Sequence, residues 1–190
     1  MTDRGNDMET VSSEKTIYCG DGELVIRAME EADAQVFTDG ELAQGWHTDV
    51  SKFLEKLKDR DEGRCVSLTA EFRGHPAGYI HVYLKVREGP FAGKGWPVIV
   101  DFGVLEKYRR MGIGTRLMDE AERIASRYAD TVCLSVGLHE GYGSAQRMYV
   151  RRGYIPDGTG AWYHGEPCTP YSPYPVDDDL VLHLYKKLHG

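Results

Sequence analysis

Apolar residues alternate with polar ones in short runs and recur at three- and four-residue spacing in longer ones, and the two periods take turns along the chain. Leu24-Val25-Ile26-Arg27 reads as a first strand, followed by helical runs near Glu30 to Ala43 and Asp49 to Arg60. Cys65 to Glu71 and Ala77 to Val86 predict an antiparallel pair across Phe72-Arg73-Gly74-His75-Pro76. Gly89 to Gly95 is a glycine-rich loop, and Val98 to Val104 a β-rich run. That run leads into an amphipathic helix that continues towards Tyr128. Thr131 to Val136 is a short β-branched strand, and Gly143 to Arg152 a helix ended by Gly153. Tyr154-Ile155 begins a further strand, Pro156 to Pro175 reads as a long loop, and Leu180 to Lys186 returns as the last strand. This order predicts an α/β fold with helices packed on a mixed sheet. The Pro156 to Pro175 loop exceeds an ordinary connection and is rich in tyrosine and proline, so a site wall or an interface is expected there.

Composition narrows the setting. A chain of 190 residues that is 41% hydrophobic can bury one full core, so one domain is expected over 17–190, with polar Met1 to Thr16 as a flexible N-terminal segment. The formal charge of -7, from 30 acidic and 23 basic side chains, argues against a nucleic-acid partner. It favours cationic small molecules, and serves equally as solubilising charge. Cys19, Cys65, Cys133 and Cys168 are widely spaced, and Cys65 and Cys133 sit in apolar runs. They read as reduced packing residues, hence a cytoplasmic protein. No apolar stretch is long enough to span a bilayer, so no membrane partner is expected.

Chemistry concentrates where the Val98 to Val104 run meets Arg109-Arg110-Met111-Gly112-Ile113-Gly114 and passes into a helix. Glycines allow close backbone approach, and first-turn N–H groups have no intrahelical partner, so an anion can take them at the positive end of the helix dipole. A Walker loop is excluded, because Gly114 is followed by Thr115 and Arg116 rather than Lys and Ser/Thr. A dinucleotide fingerprint lacks its third glycine, and Asp130 follows a helix rather than ending a strand. Arginines and amides holding a pyrophosphate without metal fit better.

Val104, Arg109, Gly112, Ile113 and Gly114, with the later Ala145-x-x-x-Tyr149-x-x-x-Gly153-Tyr154, resemble the GNAT family of N-acetyltransferases over most of the chain. The resemblance implies a mostly antiparallel central sheet flanked by helices. It also implies that the family's strand four, about Val98 to Val104, and strand five, about Thr131 to Val136, splay apart to admit acetyl-coenzyme A as co-substrate. Separated strands leave backbone groups unpaired, and an amide-rich pantetheine chain can satisfy them as a pseudo-strand. By position, Phe102 and Val104 face the thioester, while Arg109, Arg110, Met111, Gly112, Ile113, Gly114 and Thr115 surround the pyrophosphate. Tyr142 joins this cofactor side, although it stands where many relatives carry an asparagine, so no asparagine amide contact is carried over.

The resemblance also puts Tyr149 close to the thioester sulfur, where a phenol can protonate the departing thiolate. The amine must be neutral to attack, so a base is expected, directly or through water. Asp101 is favoured, on the strand beside the thioester and on the face opposite Phe102, with His139 as runner-up. A strand N–H near Phe102 to Val104 would hold the carbonyl oxygen. Cys133 is passed over as a nucleophile because its surroundings are apolar.

The acceptor is an amine-bearing small molecule or peptide. Trp46, Trp162, Tyr163, Tyr171 and Tyr174 could line its pocket, with Asp39 and Glu41 attracting a cation, yet the same aromatics suit a core or a homodimer contact. Two alternatives stand beside small-amine acetylation: a coenzyme-A-binding sensor without turnover, and an acetyltransferase for protein N-termini or lysines.

Overall fold

The computed structural model describes residues 16–188. Residues 1–15, and with them nearly all of the expected N-terminal segment, lie outside the described residues. In chain order the elements are β1 (Ile17–Gly20), β2 (Leu24–Ala28), α1 (Glu31–Ala43), α2 (Val50–Asp61), β3 (Cys65–Phe72), β4 (His75–Tyr83), β5 (Val98–Val104), α3 (Ile113–Ala125), β6 (Thr131–Gly137), α4 (Gly143–Arg151), β7 (Ile155–Tyr163), β8 (Glu166–Pro167) and β9 (Leu180–Lys187). The strands form one sheet in the order β1-β2-β3-β4-β5-β6-β9-β7-β8. Every pairing is antiparallel except that of β5 with β6, as a mixed, mostly antiparallel sheet requires.

Two expectations are corrected, and one strand is added. The segment expected to be one loop from Pro156 contains β7 and β8; Ala161, Trp162 and Tyr163 pair with Leu182, Val181 and Leu180 of β9, after an irregularity between Pro156 and Ala161. Pro156, Gly158 and Gly160 conceal the strand in the sequence, whereas the open side of β9 supplies the ladder that their propensities do not. The β3–β4 connection is tighter than five residues. Phe72 pairs with His75, and Arg73 and Gly74 turn the chain with φ of 51° and 81°. Two positive φ values match the twist of the flanking strands. Strand β1 was not expected, since four residues give too short a period to read.

Helix α3 buries Ile113, Leu117, Met118, Ala121, Ile124 and Ala125, the stripe that three- and four-residue spacing lays on one face. They pack on Ile26, Leu68, Ile80, Val82, Ile99 and Leu134 of the sheet. The opposite face of the sheet carries α1 and α2, where the Phe37, Phe53 and Tyr79 rings meet with centroids 4.9 to 5.7 Å apart. At the end of β2, Arg27 is 2% exposed. Its guanidinium donates to both Asp33 oxygens at 2.6 and 2.9 Å and to Glu71 at 2.8 Å. Asp33 in turn accepts the Glu30 N–H at 2.8 Å and the Thr69 hydroxyl at 2.9 Å, so one buried ion cluster ties the start of α1 to β2 and β3. Glu122 plays the matching part on the other face, accepting from Arg152 after α4 at 2.9 Å and from Lys186 of β9 at 2.6 Å.

Candidate active site

Strands β5 and β6 pair only at Val98 with Cys133 and Ile99 with Leu134. Beyond Ile99 the side of β5 that would face β6 has no ladder partner, and the strands part. On its other side β5 stays paired with β4 through Val104, but Tyr79 meets Gly103 while His81 meets Val100, so β5 holds one extra residue there. Such a bulge re-aims side chains. It is centred near Asp101, whose φ of 45° is left-handed. Phe102 lies on the α3 side, 3.1 Å from where a side-chain carbon on Gly114 would sit, whereas Asp101 turns to α2 and pairs with Lys56 at 3.1 Å. The two residues do face opposite sides.

The opening leads to the start of α3. Gly112 caps it with φ 79° and no side-chain acceptor, and among the described residues nothing accepts the N–H groups of Ile113, Gly114 and Thr115. Their free donors and the dipole make an anion seat. Ile113 is 1% exposed, so only its backbone can serve the seat. Arg110 is exposed with φ 63°, and Met111 is half exposed. Arg109 turns away, donating to Glu106 at 3.1 Å with its guanidinium 5.4 Å over the Trp46 ring. No side-chain carbon occupies the left-handed corner at Gly112, and none other than glycine adopts it without cost. Gly112→Ala is therefore expected to strain the turn by about 1 kcal/mol and to weaken acetyl-coenzyme A binding about tenfold with the fold intact; calorimetry and thermal melting would read the two effects separately.

Tyr149, on α4, is 6% exposed, and its ring meets Tyr154 edge-on at 5.7 Å. Among the described residues no group bonds its hydroxyl. Burial, and then the neighbouring Tyr142, push its pKa well above the ordinary tyrosine value, so the phenol keeps its proton. Tyr142 ends the one-turn 3-10 helix before α4. Its ring lies so close over Gly137 that a side-chain carbon there would stand 2.4 Å from it. Its hydroxyl donates to Asp178 at 3.0 Å, and burial, then Asp178, then Asp101 push its pKa up to about 12. His139 uses both ring nitrogens: Nδ1 accepts the Gly141 N–H at 3.0 Å, which leaves Nε2 to donate to Asp178 at 2.9 Å.

The Acetyltransferase (GNAT) family matches residues 26–154, more than half of the chain. The chain belongs to the GNAT acetyltransferase family. No curated protein matches the chain. Solved structures similar to this GNAT protein include Ard1 from Thermoplasma volcanium, 18% identical with a TM-score of 0.65, over 88% of this chain and 99% of that one. A ribosomal-protein-alanine N-acetyltransferase from Brucella melitensis is 18% identical, with a TM-score of 0.63 over 86% and 99%. An acetyl transferase from Salmonella typhimurium that modifies the N-terminal serine of a 50S ribosomal subunit protein is 10% identical, with a TM-score of 0.68 over 91% and 99%. At these identities the likeness is one of fold.

A GNAT protein takes its acetyl group from acetyl-coenzyme A, and the residues present fit that group. The free N–H groups of α3 suit the pyrophosphate, and the unpaired side of β5 suits an amide chain laid along it. Among the described residues no group of three or more His, Cys, Asp or Glu could hold a metal ion, and no helix is long and apolar enough to cross a membrane. The four cysteines are free, and burial pushes the Cys133 thiol up to about 12, which keeps it from acting as a thiolate.

On the α1–α2 side of β5 lies a cluster of which the sequence pointed only to Glu41. Tyr79 reaches over Gly103, where a side-chain carbon would stand 2.6 Å from its hydroxyl, so only glycine fits. That hydroxyl donates to Glu41, which is 1% exposed. Lys52 donates to Glu41 at 3.2 Å and to the Tyr79 hydroxyl at 3.0 Å, and sits 5.0 and 5.1 Å over the Phe53 and Tyr79 rings. Beside them His81 is fully buried, its Nδ1 against Ser67 at 2.9 Å, and burial pushes its pKa down to about 3, so the ring is neutral. The available signal was polar Tyr79 and His81 alternating within an apolar strand. Of the aromatics expected to line an acceptor pocket, Tyr163 and Tyr174 meet each other, Trp162 meets His183, Trp46 meets Arg109, and Tyr171 is fully exposed. Asp39 instead accepts from Gln35 on the outer face of α1 at 2.7 Å.

Proposed function

We propose that this protein moves the acetyl group of acetyl-coenzyme A to a primary amine of a small molecule or peptide by direct attack. The observation that carries the reading is the parting of β5 from β6 after Ile99, directly beside the uncapped start of α3. In this reading the N–H groups of Ile113, Gly114 and Thr115 hold the pyrophosphate, with Arg110 alongside. Phe102 and Val104 border the thioester, and a β5 N–H between Phe102 and Val104 receives the charge that develops on the carbonyl oxygen. Preorganised donors of this kind act only as that charge appears, which is why they lower the barrier. Tyr149 protonates the departing thiolate.

Asp101 is the preferred acceptor of the amine's proton, either directly or through water. Its 35% side-chain exposure leaves room for a substrate beside the Lys56 pair, whereas His139 must break a hydrogen bond at Nδ1 before it can take a proton. The test is thiol release from acetyl-coenzyme A with a panel of primary amines. Asp101→Asn is expected to lower turnover with the best amine at least tenfold at neutral pH and to leave acetyl-coenzyme A affinity unchanged. Release with no amine in the panel, despite cofactor binding, would favour a coenzyme-A sensor; equal turnover in Asp101→Asn would leave His139 or water as the base.

A further inference from the structure

The cluster on the α1–α2 side of β5 already contains an amine. Its carboxylate, phenol and two aromatic faces are what an alkylammonium seeks, since each offers negative charge or π density to a cation. The occupant is the chain's own Lys52, on α2. Two short steps connect it to the reaction strand: 3.0 Å from Lys52 Nζ to the Tyr79 hydroxyl, and 2.6 Å from that hydroxyl to the position a side-chain carbon on Gly103 would take. Gly103 lies in the Phe102 to Val104 segment that borders the thioester in the proposed function, and this inference rests on that reading.

Lys52 is also the member of the cluster that reaches solvent: its side chain is 31% exposed, against 1% for Glu41. Lys56, one helical turn on, is occupied differently: its ammonium pairs with Asp101 at 3.1 Å and lies 5.9 Å over the Tyr83 ring, whose hydroxyl donates to Asp59, and its side chain is 19% exposed.

We propose that Lys52 is a self-acetylation site, modified by acetyl-coenzyme A bound to the same chain. Glu41, 3.2 Å from Nζ, takes a proton from the ammonium and passes it to solvent. The lone pair released on Nζ attacks the thioester carbonyl carbon; the C–N bond forms, the C–S bond breaks, and the thiolate leaves with the proton donated by Tyr149. A second proton lost from nitrogen reprotonates Tyr149, so one ammonium and one thioester give one amide, one thiol and one proton. Acetylation removes the charge that balances Glu41, leaving a buried carboxylate with the Tyr79 hydroxyl as its remaining partner. The modified chain then has an unfilled ammonium seat beside the thioester, which an incoming amine acceptor can take.

Mass spectrometry of the full chain incubated with acetyl-coenzyme A tests this. Lys52 is expected to gain one acetyl group at least tenfold faster than exposed Lys107 or Lys187, and faster as pH rises, because only the neutral amine attacks. The rate should be first order and independent of protein concentration. Lys52→Arg keeps the positive charge and should lose the fast site while its melting temperature stays within a few degrees of the parent. Calorimetry of acetyl-coenzyme A and the amine panel run in parallel. If cofactor binds and amines are acetylated while Lys52 reacts no faster than Lys107, self-acetylation is overturned and the proposed function stands. If cofactor does not bind, both fall. A rate that rises with protein concentration would also overturn it, because the transfer would then be between chains.

Discussion

Replacing Tyr149 with phenylalanine is expected to lower kcat by about a hundredfold, the usual worth of a positioned proton donor, and to leave acetyl-coenzyme A affinity within twofold of the parent. The ring stays in place against Tyr154, so packing is kept and only the hydroxyl is lost. Because burial raises the phenol's pKa, the group is protonated throughout the neutral range and beyond the ordinary tyrosine value. The parent should therefore show no loss of activity from Tyr149 ionisation at mildly alkaline pH. Stopped-flow thiol release with a working amine, set against calorimetric binding, would check both parts. Equal kcat in parent and variant would mean that the thiolate departs unaided.

The largest effect on stability is expected at Arg27. Arg27→Met keeps the stem but leaves Asp33 and Glu71 without the guanidinium, and breaking a buried pair in this way costs about 3–5 kcal/mol. Burial alone would raise the Asp33 pKa; the Arg27 hydrogen bonds, the Glu30 N–H and Thr69 outweigh it and hold the carboxyl below its ordinary value. A depressed carboxylate contributes stability that is present above its unfolded pKa and lost as pH falls through the folded one. Removing Arg27 takes away the strongest of the contributions that oppose burial, so the Asp33 carboxyl rises from its depressed value. The deficit of the variant should accordingly be greatest at neutral pH and shrink as the medium is acidified. Urea unfolding at several pH values would measure this, and the double variant Arg27→Met with Asp33→Leu should recover part of the loss, since an apolar pair no longer strands a charge.

What could be read from the chain follows from how local each signal is. The α3 stripe and the Gly112 corner are written in a few adjacent residues, and the family resemblance is carried by those same residues, so the fold and the family were legible. Strand β7 was not, because Pro156, Gly158 and Gly160 break its pattern and its reason to be extended lies in β9, some twenty residues on. Of the Glu41, Lys52 and Tyr79 cluster only Glu41 was singled out, as an acid that attracts a cation. Lys52 and Tyr79 look like an ordinary surface charge and a core aromatic, and only the packing of α1 and α2 over β4 joins the three. Arg27 gave no signal for a related reason. A charged residue ending a strand suggests solvent, whereas here it is matched across 44 residues by Glu71.

The position of β9 constrains how the molecule can be made. It lies between β6 and β7, pairing Thr131 through Gly137 with Lys187 through Val181 on one side and β7 on the other. On the ribosome, the strands through β6 and the helix that packs on them emerge well before residue 180. During that interval β6 shows a bare row of N–H and C=O groups, and β7 has no place in the sheet to join. Unpaired edges of this kind recruit other chains. Synthesis through Lys187 thus closes the sheet from the inside, and a chain halted before Leu180 would carry the Gly112 turn on a fold open to self-association.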